Sequence, residues 1–128
     1  MTEISDRGFA NTATARNHSV ISDQAFAAGP MATDKGLAPY ELLLSALGSC
    51  TSMTLRMYAS RKGLPLSAVT VELSAQKDDQ GVLHVKRGLR LPGVSAEQKT
   101  RLREIANMCP VHRTLEGSKC RVETTIIS

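Results

Sequence analysis

The sequence predicts an α+β fold, and three patterns in it carry that prediction. A long apolar stretch from Pro39 to Lys62 has its hydrophobic residues at helical spacing. Val69-Thr-Val-Glu-Leu-Ser74 and Val82–Leu91 alternate apolar and polar residues around the turn Asp78-Asp-Gln-Gly81, the signature of an antiparallel hairpin. A shorter helical pattern follows, opened by Ser95 and Gln98 at capping-box spacing. With 128 residues, the chain is read as a single domain over 1–128.

Residues 8–24 read as a β-hairpin. Asn11-Thr-Ala-Thr-Ala15 alternates, Ser19-Val-Ile-Ser22 resembles a short strand, and Arg16-Asn-His18 either turns or continues. Gly29-Pro30 and Asp34-Lys-Gly36 make 27–36 a loop. Pro39 suits the first position of the long helix, Gly63 its left-handed end, and Pro65 prevents resumption. Leu42, Leu43, Leu44, Leu47, Cys50, Met53, Leu55 and Met57 cover more than one face of that helix, which predicts a central, buried element. The helix opened by Ser95 has Leu102, Ile105, Ala106 and Met108 on its apolar side. Pro110 ends it and begins a short helix to about Leu115, which Gly117 stops. Cys120-Arg-Val-Glu-Thr-Thr-Ile-Ile127 alternates as a final strand.

Composition removes several classes of function. The net charge is +4, but the positive residues, Arg87 and Arg103 among them, are scattered without a run of like charge and read as a solvated surface. Aromatic residues are 3% of the chain and Trp is absent, which argues against stacking on nucleic-acid bases. No nucleic-acid partner is expected; a basic interaction protein using Arg and Lys on the second helix is a further reading. Met1-Thr-Glu-Ile-Ser-Asp-Arg7 is polar and no apolar signal region follows it, so no signal peptide is expected. No apolar run reaches the roughly 18 residues needed to span a bilayer. The expected location is the cytoplasm, where three cysteines are not structural staples. No phosphate-binding loop, nucleophile elbow or dinucleotide fingerprint is present, and no cofactor is expected.

The cysteines carry the chemistry. With Pro110 at a first helical position, Cys109 becomes the N-cap, its sulfur near unpaired N–H groups and the positive end of the helix dipole. The competing reading is a small buried residue that happens to precede a proline. Cys50 lies mid-helix among Leu and Met and, taken alone, is an inert core thiol. A nucleophilic Cys50 needs a cation from another segment, and Arg16 is the best candidate, because its strand pair must pack on the central helix. Cys120 reads as a core or half-buried thiol without a role. Cys109, His112 and Cys120 offer three zinc donors, but the paired Cys-x-x-Cys spacing is missing and no metal is expected. His84 reads as a surface residue, and His112 either tunes Cys109 or is merely exposed.

Pro39-Tyr-Glu-Leu-Leu-Leu-Ser-Ala-Leu-Gly-Ser-Cys-Thr-Ser-Met-Thr54, followed at a distance by Cys109-Pro-Val-His-Arg113, resembles the OsmC/Ohr family of osmotically inducible and organic-hydroperoxide-resistance proteins. Arg16-Asn-His-Ser19 extends the likeness to nearly the whole chain. The resemblance implies an intertwined homodimer, with antiparallel sheets around two long buried helices. It also implies a cysteine peroxidase. Cys50 would attack an organic hydroperoxide and become a sulfenic acid, and Cys109 would resolve it as a disulfide. Arg16 would stabilise the Cys50 thiolate, and Glu41 would hold Arg16 by an ion pair. An external dithiol, a lipoylated protein in the Ohr branch, would reduce the disulfide.

One departure from the peroxidase branches concerns that acid. They carry it directly after the proline, where this chain has Tyr40, with Glu41 one residue later. Glu41 lies about half a turn out of phase with Cys50 and roughly 13 Å along the axis of an ideal helix. Its role then needs a later helix start, Arg16 as a bridge, or the partner subunit; otherwise it is a carboxylate that satisfies the helix N-terminus. The Pro-x-Glu-Leu-Leu form is similar to the OsmC-like branch. The alternative function is the same dimer binding a small apolar molecule, with its cysteines redox-inert.

Overall fold

In the computed structural model, which describes residues 2–5, 8–27, 29–30 and 32–127, the elements follow the order β1 (Thr2–Ser5), β2 (Asn11–Ala15), β3 (His18–Ser22), α1 (Pro39–Lys62), β4 (Thr70–Lys77), β5 (Leu83–Arg90), α2 (Ala96–Ala106) and α3 (Pro110–Glu116). Met1, Asp6 and Arg7 of the polar start, and Ala28 and Met31 of the loop at 27–36, lie outside the described residues. The chain forms two compact units, Met1–Ser45 and Ala46–Ser128, and α1 runs from the first into the second.

The first unit is an antiparallel sheet in the order β1-β2-β3. β1 is a strand that the sequence reading did not assign. β2 and β3 pair with Ala15 opposite His18, so Arg16 and Asn17 alone make the turn. Beyond β3 the chain closes on itself around Asp23, which is 1% exposed. Its carboxylate accepts hydrogen bonds from the Thr33 hydroxyl and from the backbone N–H groups of Gln24 at 2.7 Å and Lys35 at 3.0 Å. These donors, the Thr33 hydroxyl above all, outweigh the cost of burial and hold the Asp23 carboxyl below its ordinary pKa.

α1 has the bounds its sequence predicts. Pro39 occupies the first helical position, and Glu41 reaches back to accept the Ala38 backbone N–H at 2.8 Å. At the other end Gly63 takes φ 67°, and the amides of Gly63 and Leu64 bond the carbonyls of Ser60 and Ala59 in a Schellman closure. The expectation of burial on most sides is met along one stripe only. Leu47, Thr51, Leu55 and Ala59, each four residues after the last, are buried, whereas Met53 and Met57 are 63% and 66% exposed.

In the second unit the core gathers Leu55 and Ala59 of α1, Leu66 and Leu91 beside the hairpin, and Leu102, Ile105 and Ala106 of α2. Leu55 and Leu102 have no exposed surface, and truncating either to Ala costs about 2–5 kcal/mol. Gly48 brings β4 close to α1, since a Cβ there would lie 2.8 Å from Leu73 Cδ1. β4 and β5 pair from Thr70–Arg90 to Lys77–Leu83. Their turn is tied by Asp78, which accepts the amides of Gln80 and Val82 and pairs with His84 at 2.7 Å. Its carboxyl is held below the ordinary value, mainly by the His84 hydrogen bond. The Ser95 side chain and the Gln98 side chain cap α2 reciprocally.

Two expectations fail at the C-terminal end. Residues 119–127 form no strand and are exposed, with Ile126 and Ile127 more than nine-tenths so. Alternation specifies the faces of a strand, but a strand also needs a bonded neighbour, and this segment pairs with none of the described strands. Cys120 is therefore an exposed thiol rather than a core or half-buried one. No described helix is long and apolar enough to cross a membrane.

Candidate active site

The site forms where α2 ends and α3 begins, against α1 and the inner face of β5. Pro110 cannot donate a backbone hydrogen bond, so it starts α3, and Cys109 becomes the N-cap with φ −65° and ψ 141°. The Cys109 sulfur accepts the His112 backbone N–H at 3.4 Å and is fully buried. On its other side it meets Thr51 Oγ1 at 3.8 Å. Thr51, also fully buried, donates its hydroxyl proton to the Leu47 carbonyl at 2.7 Å.

Arg87 knits this corner together. β5 turns Leu83, Val85, Arg87 and Leu89 to one half-buried face and the intervening residues outward. From there the guanidinium donates through Nη1 to Thr51 Oγ1 at 3.0 Å, and through Nη2 to Asn107 Oδ1 and His112 Nδ1, both at 3.0 Å. His112 Nε2 in turn lies 2.9 Å from Glu116 Oε2, one turn further along α3. The same face opens on a cavity of about 760 Å³. Its walls include Leu47, Leu83, Val85, Leu89 and Leu115, and Arg87, Lys99 and Arg103 contribute positive charge.

Of the residues selected from sequence, Cys109 is the N-cap that was expected, and it is also fully buried. Cys50 is half-buried in α1, one residue before Thr51 and rotated from it by about 100°. All three cysteines are free thiols. Arg16 and Glu41 belong to the first unit. Arg16 is exposed at the hairpin tip and takes φ 55°, a conformation uncommon for a residue with a side chain. Glu41 is exposed and engaged with the Ala38 amide. Cys109, His112 and Cys120 are not assembled as a metal site, and no cluster of three or more metal-ligating side chains occurs among the described residues.

Sequence reading passed over Thr51, Arg87, Asn107 and Glu116. The scattered charge pattern places Arg87 on the solvated surface, yet it lies on the inner face of β5. The signal was its parity, because it shares the alternation of Leu83, Val85 and Leu89, and a charge on an apolar face requires partners. His112 is held by two side chains rather than exposed, its side chain being 19% accessible.

A family model described as OsmC-like protein matches residues 32–125, and the chain belongs to that family. Among solved structures, an OsmC-like protein from Mycoplasma pneumoniae superposes with a TM-score of 0.71 at 21% identity, over 92% of this chain and 86% of that one. The organic hydroperoxide resistance protein OhrB of Bacillus subtilis gives a TM-score of 0.61 at 18% identity, over 91% and 88%. An organic hydroperoxide resistance protein OsmC from Legionella pneumophila, described as a predicted redox protein, gives 0.61 at 16% identity, over 91% and 87%. These likenesses establish the α+β OsmC-like fold. No curated protein sequence matches the chain.

Proposed function

We propose that the protein is a cysteine-based peroxidase that reduces organic hydroperoxides with Cys50 and Cys109. One observation carries the reading: the Cys109 sulfur is held in the interior 3.8 Å from the side chain of Thr51, the residue next to Cys50 in α1. Membership of a family that has organic hydroperoxide resistance proteins among its structural relatives supports it.

The Cys50 thiolate attacks the outer oxygen of the O–O bond. The alcohol leaves with a proton, and Cys50 becomes a sulfenic acid. The Cys109 thiol displaces water from that sulfur to give the Cys50–Cys109 disulfide. An external dithiol, such as a lipoylated protein, restores both thiols and is itself oxidised. Arg16 supplies the cation at Cys50, and its unusual backbone conformation is the kind of feature found at functional positions. Glu41 supports Arg16 from a neighbouring chain, within an intertwined homodimer that covers the exposed Met53 and Met57. The proposed compartment is the cytoplasm, whose reducing conditions suit three free cysteines.

A second reading, a dimer that carries a small apolar molecule, draws on the largely apolar walls of the cavity beside β5. Turnover of cumene hydroperoxide with dihydrolipoamide, measured for wild type, Cys50→Ser and Cys109→Ser, separates the two. The peroxidase loses turnover in Cys50→Ser, and mild peroxide removes two hydrogens per wild-type chain, mapped to Cys50–Cys109. Undiminished turnover in Cys50→Ser ends the peroxidase reading, and an unchanged mass favours the carrier.

A further inference from the structure

We propose that Arg87 is a positioning residue that fixes His112 as the neutral ring with its proton on Nε2, and that the pair holds Cys109 where it can resolve the Cys50 sulfenic acid. Protonation of His112 then uncouples resolution from peroxide attack. The last step rests on the peroxidase reading; the state of the Arg87–His112 pair does not.

Donor and acceptor chemistry dictates the tautomer. A guanidinium has only donors and does not lose its proton in proteins. The atom it meets at 3.0 Å, His112 Nδ1, must therefore be the acceptor. A neutral imidazole has one proton, which is then on Nε2, aimed at Glu116 Oε2 at 2.9 Å. Thr51 has one hydroxyl proton, given to Leu47, and accepts from Arg87, so in its contact with Cys109 the thiol is the donor. Cys109 Sγ also takes the His112 backbone N–H. Arg87 thus bonds both residues that contact the Cys109 sulfur, Thr51 and His112.

A second proton on His112 breaks this arrangement. Nδ1–H would point at Arg87 Nη2–H, cation against cation. The charged groups lining the two cavities that His112 borders are mostly of the same sign: Arg87 from β5, Lys99 and Arg103 from α2, Arg113 from α3 and Lys119 beyond it, with Cys109 as the further titratable group. Glu116 is the single carboxylate among them and is 78% exposed, so water and salt weaken its compensation. Arg87 then leaves His112 and Thr51, and Cys109 loses its fixed position. Resolution is then slower whenever the ring carries a second proton.

The test combines a spectrum with single-turnover kinetics on the full chain. Long-range 15N–1H spectra of the reduced protein, with His112 assigned by His112→Gln, read the tautomer directly. The expected pattern is Nε2–H in wild type and a mixture in Arg87→Gln. Cumene hydroperoxide is then added, and Cys50 sulfenic acid (trapped by dimedone) and disulfide are followed from pH 5 to 8. Sulfenic acid should form in Arg87→Gln within about twofold of the wild-type rate, and disulfide should form at least about tenfold more slowly. Wild type should show the same slowing at low pH, with that inflection absent in His112→Gln. An Nδ1–H tautomer in wild type overturns the pairing, and this needs no variant to fold. Equal disulfide rates in wild type and Arg87→Gln, or an inflection retained in His112→Gln, overturn the positioning role. If wild type forms no sulfenic acid, the peroxidase reading fails and the resolution step with it, while the spectrum still decides the Arg87–His112 state.

Discussion

Arg16 combines an exposed guanidinium with a left-handed backbone at the tip of β2 and β3. Holding a residue with a Cβ in that region costs about 1 kcal/mol, a strain that Gly does not bear. Arg16→Gly should therefore stabilise the fold by up to about 1 kcal/mol in urea unfolding. The same change should lower peroxide turnover by about 100-fold or more, as expected on removing a charge that stabilises the reacting thiolate. Stability and activity moving in opposite directions would mark Arg16 as a residue kept for chemistry. Unchanged turnover would remove it from the mechanism.

The segment between β3 and α1 is organised around one carboxylate. Asp23 is buried and bonded by Thr33, Gln24 and Lys35, and its folded pKa is lowered. A lowered carboxylate pKa means that the unfolded chain takes up its proton first on acidification. The contribution of Asp23 to stability is therefore complete above its unfolded pKa of about 4 and is lost as pH falls through the lower, folded value. Melting temperatures of wild type and Asp23→Asn should differ most at neutral pH and converge in acid. A constant difference across that range would show that the charge of Asp23 contributes nothing. Asp78 titrates in the same direction and is common to both proteins, so it cancels in the comparison.

For the chain taken entire, the unresolved balance is apolar surface. Met53 and Met57 on α1, and Val122, Ile126 and Ile127 after α3, are all more than half exposed. A second copy covering these residues would give a particle of two 13.8 kDa chains by light scattering. Met53→Glu combined with Met57→Glu would then leave single chains, because a carboxylate desolvated without a partner opposes association. It would also abolish turnover if Glu41 serves the neighbouring chain. Single chains in the wild-type protein would refute the intertwined dimer.

Local chemistry was legible in the sequence wherever a residue acts on its immediate neighbours. Pro39 and Gly63 set the bounds of α1, Ser95 and Gln98 the start of α2, and Pro110 made Cys109 an N-cap. Each of these effects spans four residues or fewer, and the chain itself brings the partners together. Arg87 was visible as a charge at an apolar parity, but its three partners come from α1, the end of α2 and α3, and no local pattern names them. The segment after α3 failed for the same reason in reverse: Cys120–Ile127 has the alternation of a strand but lacks a bonded neighbour. Propensity, capping and turn chemistry are encoded within a few residues, so reading alone delivered the helices, the hairpins and the N-cap position of Cys109. Which side chains surround Cys109, and which apolar faces stay uncovered, depended on contacts between distant segments, and these exist only once the chain has folded.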